Sequence, residues 1–331
     1  MLVVNLANIK NTNGLFYYGV DYIKALRNPP DRILVRPALL QALSDQCPNV
    51  RSIPCSAFRY LVELLRAVCS GKTIYTPSSH PLPFVSRQLV VLHDTYPFQG
   101  RLGRLKRWLF LVSAHSSRCL LAYINTADGL VFYRKHGFDG KRLVFAPNLF
   151  PKAMAGLKSQ RPPAETRLIV GLVGTDSTKK NYGSLFSEIR ASERADNVLF
   201  SVYGHPTEYF RGVQAEFPEL DIQLIRSDAV AMLDFLAGVD VLVSVAENEG
   251  FGRPIACALQ SGVPCFLIDN SVFREFFEGG AQYSTSIRTL ITDLFESWSN
   301  SGLPRVSFDP PPTVIAAFTH VAEILDKITR A

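Results

Sequence analysis

The stretch that most narrows what this chain can fold into is residues 241–268, VLVSVAENEGFGRPIACALQSGVPCFLI. Val241 to Val245 is a continuous apolar, β-branched run, the composition of a parallel strand covered on both faces. Ala246 to Gly252 breaks that run with two glycines and two carboxylates and no apolar period, so a loop opens there. Pro254 suits the first turn of a helix, where its missing N–H would have no partner in any case. Ile255 to Gln260 continue as helix formers, and Gly262 stops the helix before a second apolar strand at Pro264 to Ile268. Glu249 therefore lies at the carboxyl end of a strand and at the mouth of a helix. Open α/β sheets bind ligands in that crevice, and the backbone N–H groups of Gly250, Phe251 and Gly252 would point at an incoming anion or hydroxyl.

The same alternation runs through the rest of the chain. In the first half, strands are expected at Leu2 to Asn5, Ile33 to Arg36, Thr73 to Tyr75 and Gln88 to Leu92, with helices at Leu15 to Leu26 and Ser56 to Cys69; Gly129 to Tyr133 and Arg142 to Ala146 read as closing strands. Gly14 stands where the loop NIKNTNG meets the first helix, a place where glycine lets backbone amides approach a phosphate or simply turns the chain. His93 and Asp94 follow a buried strand, again on the edge of the sheet that binds ligands. Pro147 to about Thr166 has few periodic apolar residues and reads as a linker, with the domain boundary placed at 151–166. Beyond it, five strands alternate with helices: Leu168 to Val173, Val198 to Tyr203, Ile222 to Ile225, Val239 to Val245 and Pro264 to Ile268. The expected architecture is α/β, two Rossmann-like doubly wound domains (1–150 and 167–309) facing across a cleft. A terminal amphipathic helix, from about Thr313 to Thr329 in segment 310–331, is expected to pack back on the first domain.

A length of 331 residues suits two domains, and 47% hydrophobic with 19% charged residues is a globular balance. There is no apolar window long enough to cross a membrane and no leader-like start, so a cytoplasmic protein is expected, with attachment to the inner face of the cell membrane as an addition. The six cysteines show no metal-binding spacing, so neither a disulfide framework nor a metal site is expected. Net charge is +6, but residues 1–150 carry 19 Lys and Arg against 7 Asp and Glu, whereas the remainder carries 16 against 22. A basic half suggests an anionic partner for it. Its densest part is RLGRLKRWLFLVSAHSSR at 101–118, where Leu102, Leu105, Leu109 and Val112 share a helical stripe amid Arg101, Arg104, Lys106, Arg107 and Arg118. Two readings stand: a basic amphipathic helix on an anionic membrane, or a core helix with a solvated basic side. No nucleic-acid motif accompanies the charge.

Taken together in order, the glycine loop near residue 14, His93-Asp94, GTDSTKKN at 174–181, and ENEGFGRP with AxxSGVP at 247–264 resemble the family 4 retaining glycosyltransferases of the GT-B fold. The likeness spans most of the chain and is tightest over 168–284. It implies sugar transfer from a nucleotide-sugar donor to an acceptor, here a lipid-linked glycan in surface polysaccharide assembly. The implied reaction is metal-independent, with retained anomeric configuration and no cofactor beyond the donor itself. By the same likeness Lys180, with Lys179 beside it, meets the donor diphosphate, and Glu249 accepts hydrogen bonds from donor-sugar hydroxyls. Gly250, Phe251 and Gly252 offer backbone amides to the sugar, Gly14 lies against the donor phosphate, and His93 lies near the reacting sugar and the acceptor, with Asp94 a candidate base. The pattern is departed from twice. Cys257 stands where the family's second glutamate usually holds the nucleotide ribose, and Thr175 stands where many members carry an arginine, whose charge Lys179 could replace. A binding subunit that has lost donor chemistry, and a nucleotide-sugar epimerase of the same build, are the alternatives these departures leave.

Overall fold

The computed structural model describes residues 1–99, 102–117, 119–152, 167–301, 303 and 306–330. Arg101, Arg118 and the linker residues 153–166 lie outside them. The chain divides into two compact units, Met1–Leu149 with Pro311–Ala331, and Phe150–Pro310.

The first unit is built on β1 (Leu2–Asn5), β2 (Arg32–Val35), β3 (Ser52–Pro54), β4 (Thr73–Thr76), β5 (Gln88–Leu92), β6 (Leu120–Tyr123) and β7 (Leu143–Phe145). They form one sheet in the order β3-β2-β1-β4-β5-β6-β7, every pair parallel. β1 is buried along its whole length, which is why its four residues could be an unbroken apolar run closed by one polar residue. That residue, Asn5, donates to the Tyr60 hydroxyl at 3.0 Å, so its burial does not leave the amide unsatisfied. The helices Gly14–Ala25 and Pro312–Arg330 cover one side of the sheet, where Tyr22 and Phe318 meet with ring centroids 4.4 Å apart. Asp326 of the terminal helix accepts from the backbone and side-chain nitrogens of Asn28 at 3.0 and 2.9 Å.

One expectation fails here. Gly129 to Tyr133 is not a strand: Thr126–Leu130 is a π-turn running into the helix Val131–Lys135, and the sixth strand is Leu120–Tyr123. The run GLVFY has strand composition, but Asn125 accepts hydrogen bonds from the Asp128 and Gly129 backbone nitrogens and so starts a helix ahead of it. Gly129 is pressed so close that an added Cβ would sit 2.9 Å from Cβ of Tyr123. β3, only three residues long, carried no periodic signal.

The second unit contains β8 (Leu168–Val173), β9 (Val198–Gly204), β10 (Ile222–Arg226), β11 (Val241–Ser244), β12 (Cys265–Ile268) and β13 (Gln282–Ser284). Their order is β10-β9-β8-β11-β12-β13, all parallel. Six strands replace the five expected, because QYS at 282–284 is too short to show a period. Its core is aromatic: Phe186, Phe200, Phe210 and Phe217 are buried together with Val170 and Val243. Burying each such ring contributes about 1.5–3 kcal/mol. In this sheet the chain winds outward from β8 in one direction, then returns to place β11 on its other side. The carboxyl ends of β8 and β11 therefore flank the topological switch point, where a crevice opens because the following connections leave in opposite directions.

Four of the six cysteines, Cys47, Cys55, Cys119 and Cys265, are buried, and none of the six is in a disulfide. Among the described residues no helix is long and apolar enough to cross a membrane.

Candidate active site

The two segments that leave the switch point of the second sheet carry the residues singled out from the sequence. After β8 the chain makes a left-handed turn at Gly174 (φ +97°), runs through a 3-10 turn at Thr178–Lys180, and reverses at Asn181 (φ +54°) into the helix Tyr182–Ala191. After β11 it passes Glu247 and Glu249 and enters the helix Arg253–Gln260 from Gly252 (φ +92°), with Pro254 in the first turn and no side-chain cap.

Lys180 and Glu249, 69 residues apart, are brought into contact. Lys180 Nζ donates to Glu249 Oε1 at 2.6 Å, and Lys179 Nζ is 3.6 Å from Oε2. All three side chains are largely withdrawn from solvent, so the charges interact through a medium less screening than water. Gly174 is what allows this approach: a Cβ there would lie 2.6 Å from Cε of Lys180. The same glycine's carbonyl accepts from the Tyr182 hydroxyl at 2.7 Å, which ties the loop to the helix that follows. At the outer edge Asn181 donates to Glu247 Oε1 at 3.3 Å and accepts from Ser184 Oγ at 2.6 Å. A small cavity bounded by Val173, Lys180, Tyr182, Val245, Glu249 and Gly252 sits at this junction. A broader open groove of about 920 Å³ runs along the outer side of helix Tyr182–Ala191, but neither lysine nor Glu249 lines it. The chemistry is concentrated in the smaller space.

Burial acts to raise the Glu249 carboxyl, but the ammonium groups of Lys180 and Lys179 outweigh it and hold the group below its ordinary value near 4.5. A carboxyl with a lower pKa folded than unfolded takes up protons preferentially in the unfolded chain. Its contribution to stability is complete above about pH 4.5 and is lost as pH falls through the lower folded value. In urea melts, wild type is expected to exceed Glu249→Gln by a margin that is constant from about pH 7 to about pH 5 and shrinks below that. A margin that stays constant into strong acid would contradict the linkage.

Phe251 is only 3% exposed and packs edge-on against Phe276 (4.7 Å) and Phe150 (5.2 Å). Its ring is core, so what it can offer a ligand is confined to its backbone. Cys257 is half-buried on the helix that starts at Arg253. Thr175 is buried and holds the loop rather than facing a ligand: its hydroxyl donates to the His205 carbonyl at 2.7 Å and accepts from the His205 nitrogen at 3.1 Å. Thr207 donates in turn to the Thr175 carbonyl. Gly204 faces this hydroxyl so closely that a Cβ would come within 2.5 Å of it, and an arginine at 175 would have no room there. Gly174, Asn181, Glu247 and Thr207 were not legible as site residues, since their roles depend on contacts between β8, β9 and β11.

In the first unit, Gly14 opens its helix in an exposed position, with Asn13 capping through the Leu15 and Phe16 nitrogens. His93 follows β5, and its Nε2 lies 3.1 Å from the carbonyl of Pro77. A carbonyl can only accept, so that nitrogen carries the proton. Tyr18, one turn along the helix from Gly14, meets the His93 ring edge-on at 4.5 Å and donates to the carbonyl of Ala146 at 2.8 Å. Asp94 accepts from the Tyr96 nitrogen at 3.2 Å, a local turn contact. The neighbouring Asp128, absent from the sequence expectations, holds both the nitrogen and hydroxyl of Thr95.

Solved structures resemble this chain over nearly all of its length. HepE of Anabaena, in complex with UDP and glucose, superposes with a TM-score of 0.69 at 13% identity, covering 99% of this chain and 94% of that one. WaaG, a glycosyltransferase involved in lipopolysaccharide biosynthesis, gives 0.64 at 14% identity, covering 100% and 95%. The fold is that of the GT-B glycosyltransferases. In sequence this chain is similar to the O-antigen chain mannosyltransferase RfbU of Salmonella typhimurium, at 21% identity over 85% of this chain and 86% of that protein. No protein-family model matches the sequence.

Proposed function

We infer that this chain is a glycosyltransferase that moves a sugar from a nucleotide-sugar donor to a glycan acceptor in surface polysaccharide biosynthesis. The observation that carries the reading is the largely solvent-withdrawn Lys180–Glu249 pair, joined by Lys179, at the switch point of the second sheet. Expulsion of a nucleoside diphosphate builds negative charge on the leaving group, and two ammonium groups fixed at the site stabilise that charge without rearrangement. Glu249, kept ionised by them, accepts hydrogen bonds from donor-sugar hydroxyls, which orients the anomeric carbon. Gly250, Phe251 and Gly252 contribute backbone amides; the family resemblance assigns Gly14 to the donor phosphate, His93 to the reacting sugar and the acceptor, and Asp94 the place of a candidate base.

The finer reading is of a retaining, metal-independent hexosyltransferase with no cofactor and a lipid-linked glycan acceptor. Cys257 cannot accept a pair of ribose hydroxyls as a carboxylate does, so ribose recognition falls to other groups. The exposed Arg104, Lys106 and Arg107 support contact of a cytoplasmic enzyme with an anionic membrane surface.

Thermal denaturation in the presence of a panel of nucleotide sugars tests the reading. A donor at about 100 times its Kd stabilises the folded state by about 2.7 kcal/mol, a shift of several degrees. Glu249→Ala is expected to abolish the part of that shift that exceeds the shift given by the bare nucleotide. If no nucleotide sugar raises the melting point of the wild-type protein, the non-catalytic alternative replaces this function.

A further inference from the structure

The strand register fixes which elements share a side of the first sheet. Val3 is level with Ile74, Thr76 with Val90, and Val90 with Leu121. Neighbours level in a parallel sheet point the same way, and so do residues two apart along a strand, so Val3, Ile74, Val90 and Leu121 lie on one face. Val3 and Ile74 pack with Leu64 and Ala67 of the helix Ala57–Cys69, while Val90 and Leu121 pack with Phe110 and Ala114 of the helix Gly103–Ser117. Both helices therefore cover the same side. The connection between β4 and β5 lies with them, since Leu82 and Val85 pack on the first cluster and His80 is near enough to Lys106 to feel its charge.

What this layer turns outward is unusual for a solvated surface. Phe58, Leu61, Leu65 and Val68 are exposed at spacings of three and four on the first helix, and Leu102, Leu105, Leu109 and Val112 repeat that spacing along the second. Trp108 is 58% exposed beside them. On the second helix it is Phe110 and Ala114, off that stripe, that enter the core, so the stripe read from the sequence faces out. On the connecting segment Phe84 is 84% exposed and held at φ +62°, a backbone conformation that is costly for an aromatic residue. A built contact holds it there: the buried Gln88 side chain donates to the carbonyls of Leu82 and Val85 and accepts from the Leu82 nitrogen. Charge on these three segments has one sign. Arg59, Arg66, Arg87, Arg104, Lys106 and Arg107 are exposed, and the segments' one carboxylate, Glu63, is buried in ion pairs with Arg32 and Arg66.

We propose that these three segments form one docking face for an anionic lipid bilayer, with Phe84 and the two apolar stripes entering the interface and the six cations at headgroup level. Aliphatic and aromatic stripes edged by Arg and Lys fit a charged interface, where the apolar part needs depth and the cations need anions above it. A second copy of the same face would set six cations against six and is disfavoured. The proposal rests on the membrane contact read for Arg104, Lys106 and Arg107 and extends it to the first helix and the loop.

Flotation of the full chain with vesicles containing phosphatidylglycerol, and with vesicles of phosphatidylcholine alone, tests it. Wild type is expected to float with the anionic vesicles only, with a blue shift of Trp108 emission. Leu61→Ser/Leu65→Ser/Phe84→Ser, all at exposed positions, is expected to weaken that binding by about tenfold or more at an unchanged melting temperature. If the triple variant floats like wild type while Arg104→Glu/Lys106→Glu/Arg107→Glu does not, the three-segment face is wrong and the single-helix contact stands. If wild type floats with neither vesicle, both are wrong. Concentration-dependent self-association that the triple variant abolishes, without vesicle binding, would assign the face to a protein partner instead.

Discussion

Lys180→Ala is expected to lower kcat/KM for sugar transfer by about 10²- to 10³-fold, the size of effect seen when one preorganised donor to a developing anion is removed. Two losses combine. The leaving diphosphate forfeits a charge-assisted hydrogen bond worth about 1.5–3 kcal/mol. Glu249 also loses its 2.6 Å partner, leaving Lys179 at 3.6 Å as its counter-ion. Lys180→Arg keeps the charge but replaces a point ammonium by a larger planar fork in a space that Gly174 and Tyr182 already close, and should recover only part of the rate. Steady-state kinetics with a defined donor decides it: a loss carried wholly by a higher KM would mean uniform binding, whereas stabilisation of the leaving group requires kcat to fall. Full activity in Lys180→Ala would remove this lysine from the chemistry.

Gly174→Ala is the second large effect, because two separate constraints meet at that residue. At φ +97° an L side chain is strained, and substitution at such a site costs about 1–2 kcal/mol of stability. The new methyl would also lie 2.6 Å from Cε of Lys180 and push the flexible lysine away from Glu249. Stability and turnover should therefore fall together, turnover by about tenfold or more. Because the loss of activity acts through Lys180, it should nearly vanish when Lys180 is already alanine, while the loss of stability persists. A double-mutant cycle measures this coupling. Independent, additive effects on turnover would show that the glycine matters for the turn alone.

Much of the second unit could be read before its structure was known, and for a local reason. Val241 to Val245, Glu249, Pro254 and Gly262 each announce themselves through composition or backbone restriction within a few residues, so strand, loop, helix and stop follow in order. The same holds for Lys180, whose place before a helix is visible in TKKN. Gly129 to Tyr133 shows the limit: its strand-like composition was overruled by a cap from Asn125, four residues upstream of the first of them. β3 and β13, three residues each, take their conformation from the neighbours they pair with and contain no signal of their own.

The amino-acid order by itself determined the alternation of buried strands and helices, the cationic character of the first half, and the presence of one carboxylate and two lysines at strand ends. Only the tertiary structure decided that Lys180 and Glu249 touch, because that contact depends on β8 and β11 being neighbours across a switch in strand order. It alone also decided that Thr175 fastens a loop and that two distant apolar stripes share one face of a sheet. Side-chain period and capping act over a few residues and are written in the chain. Register and strand order arise from burying all the apolar faces at once, and no short window contains that condition.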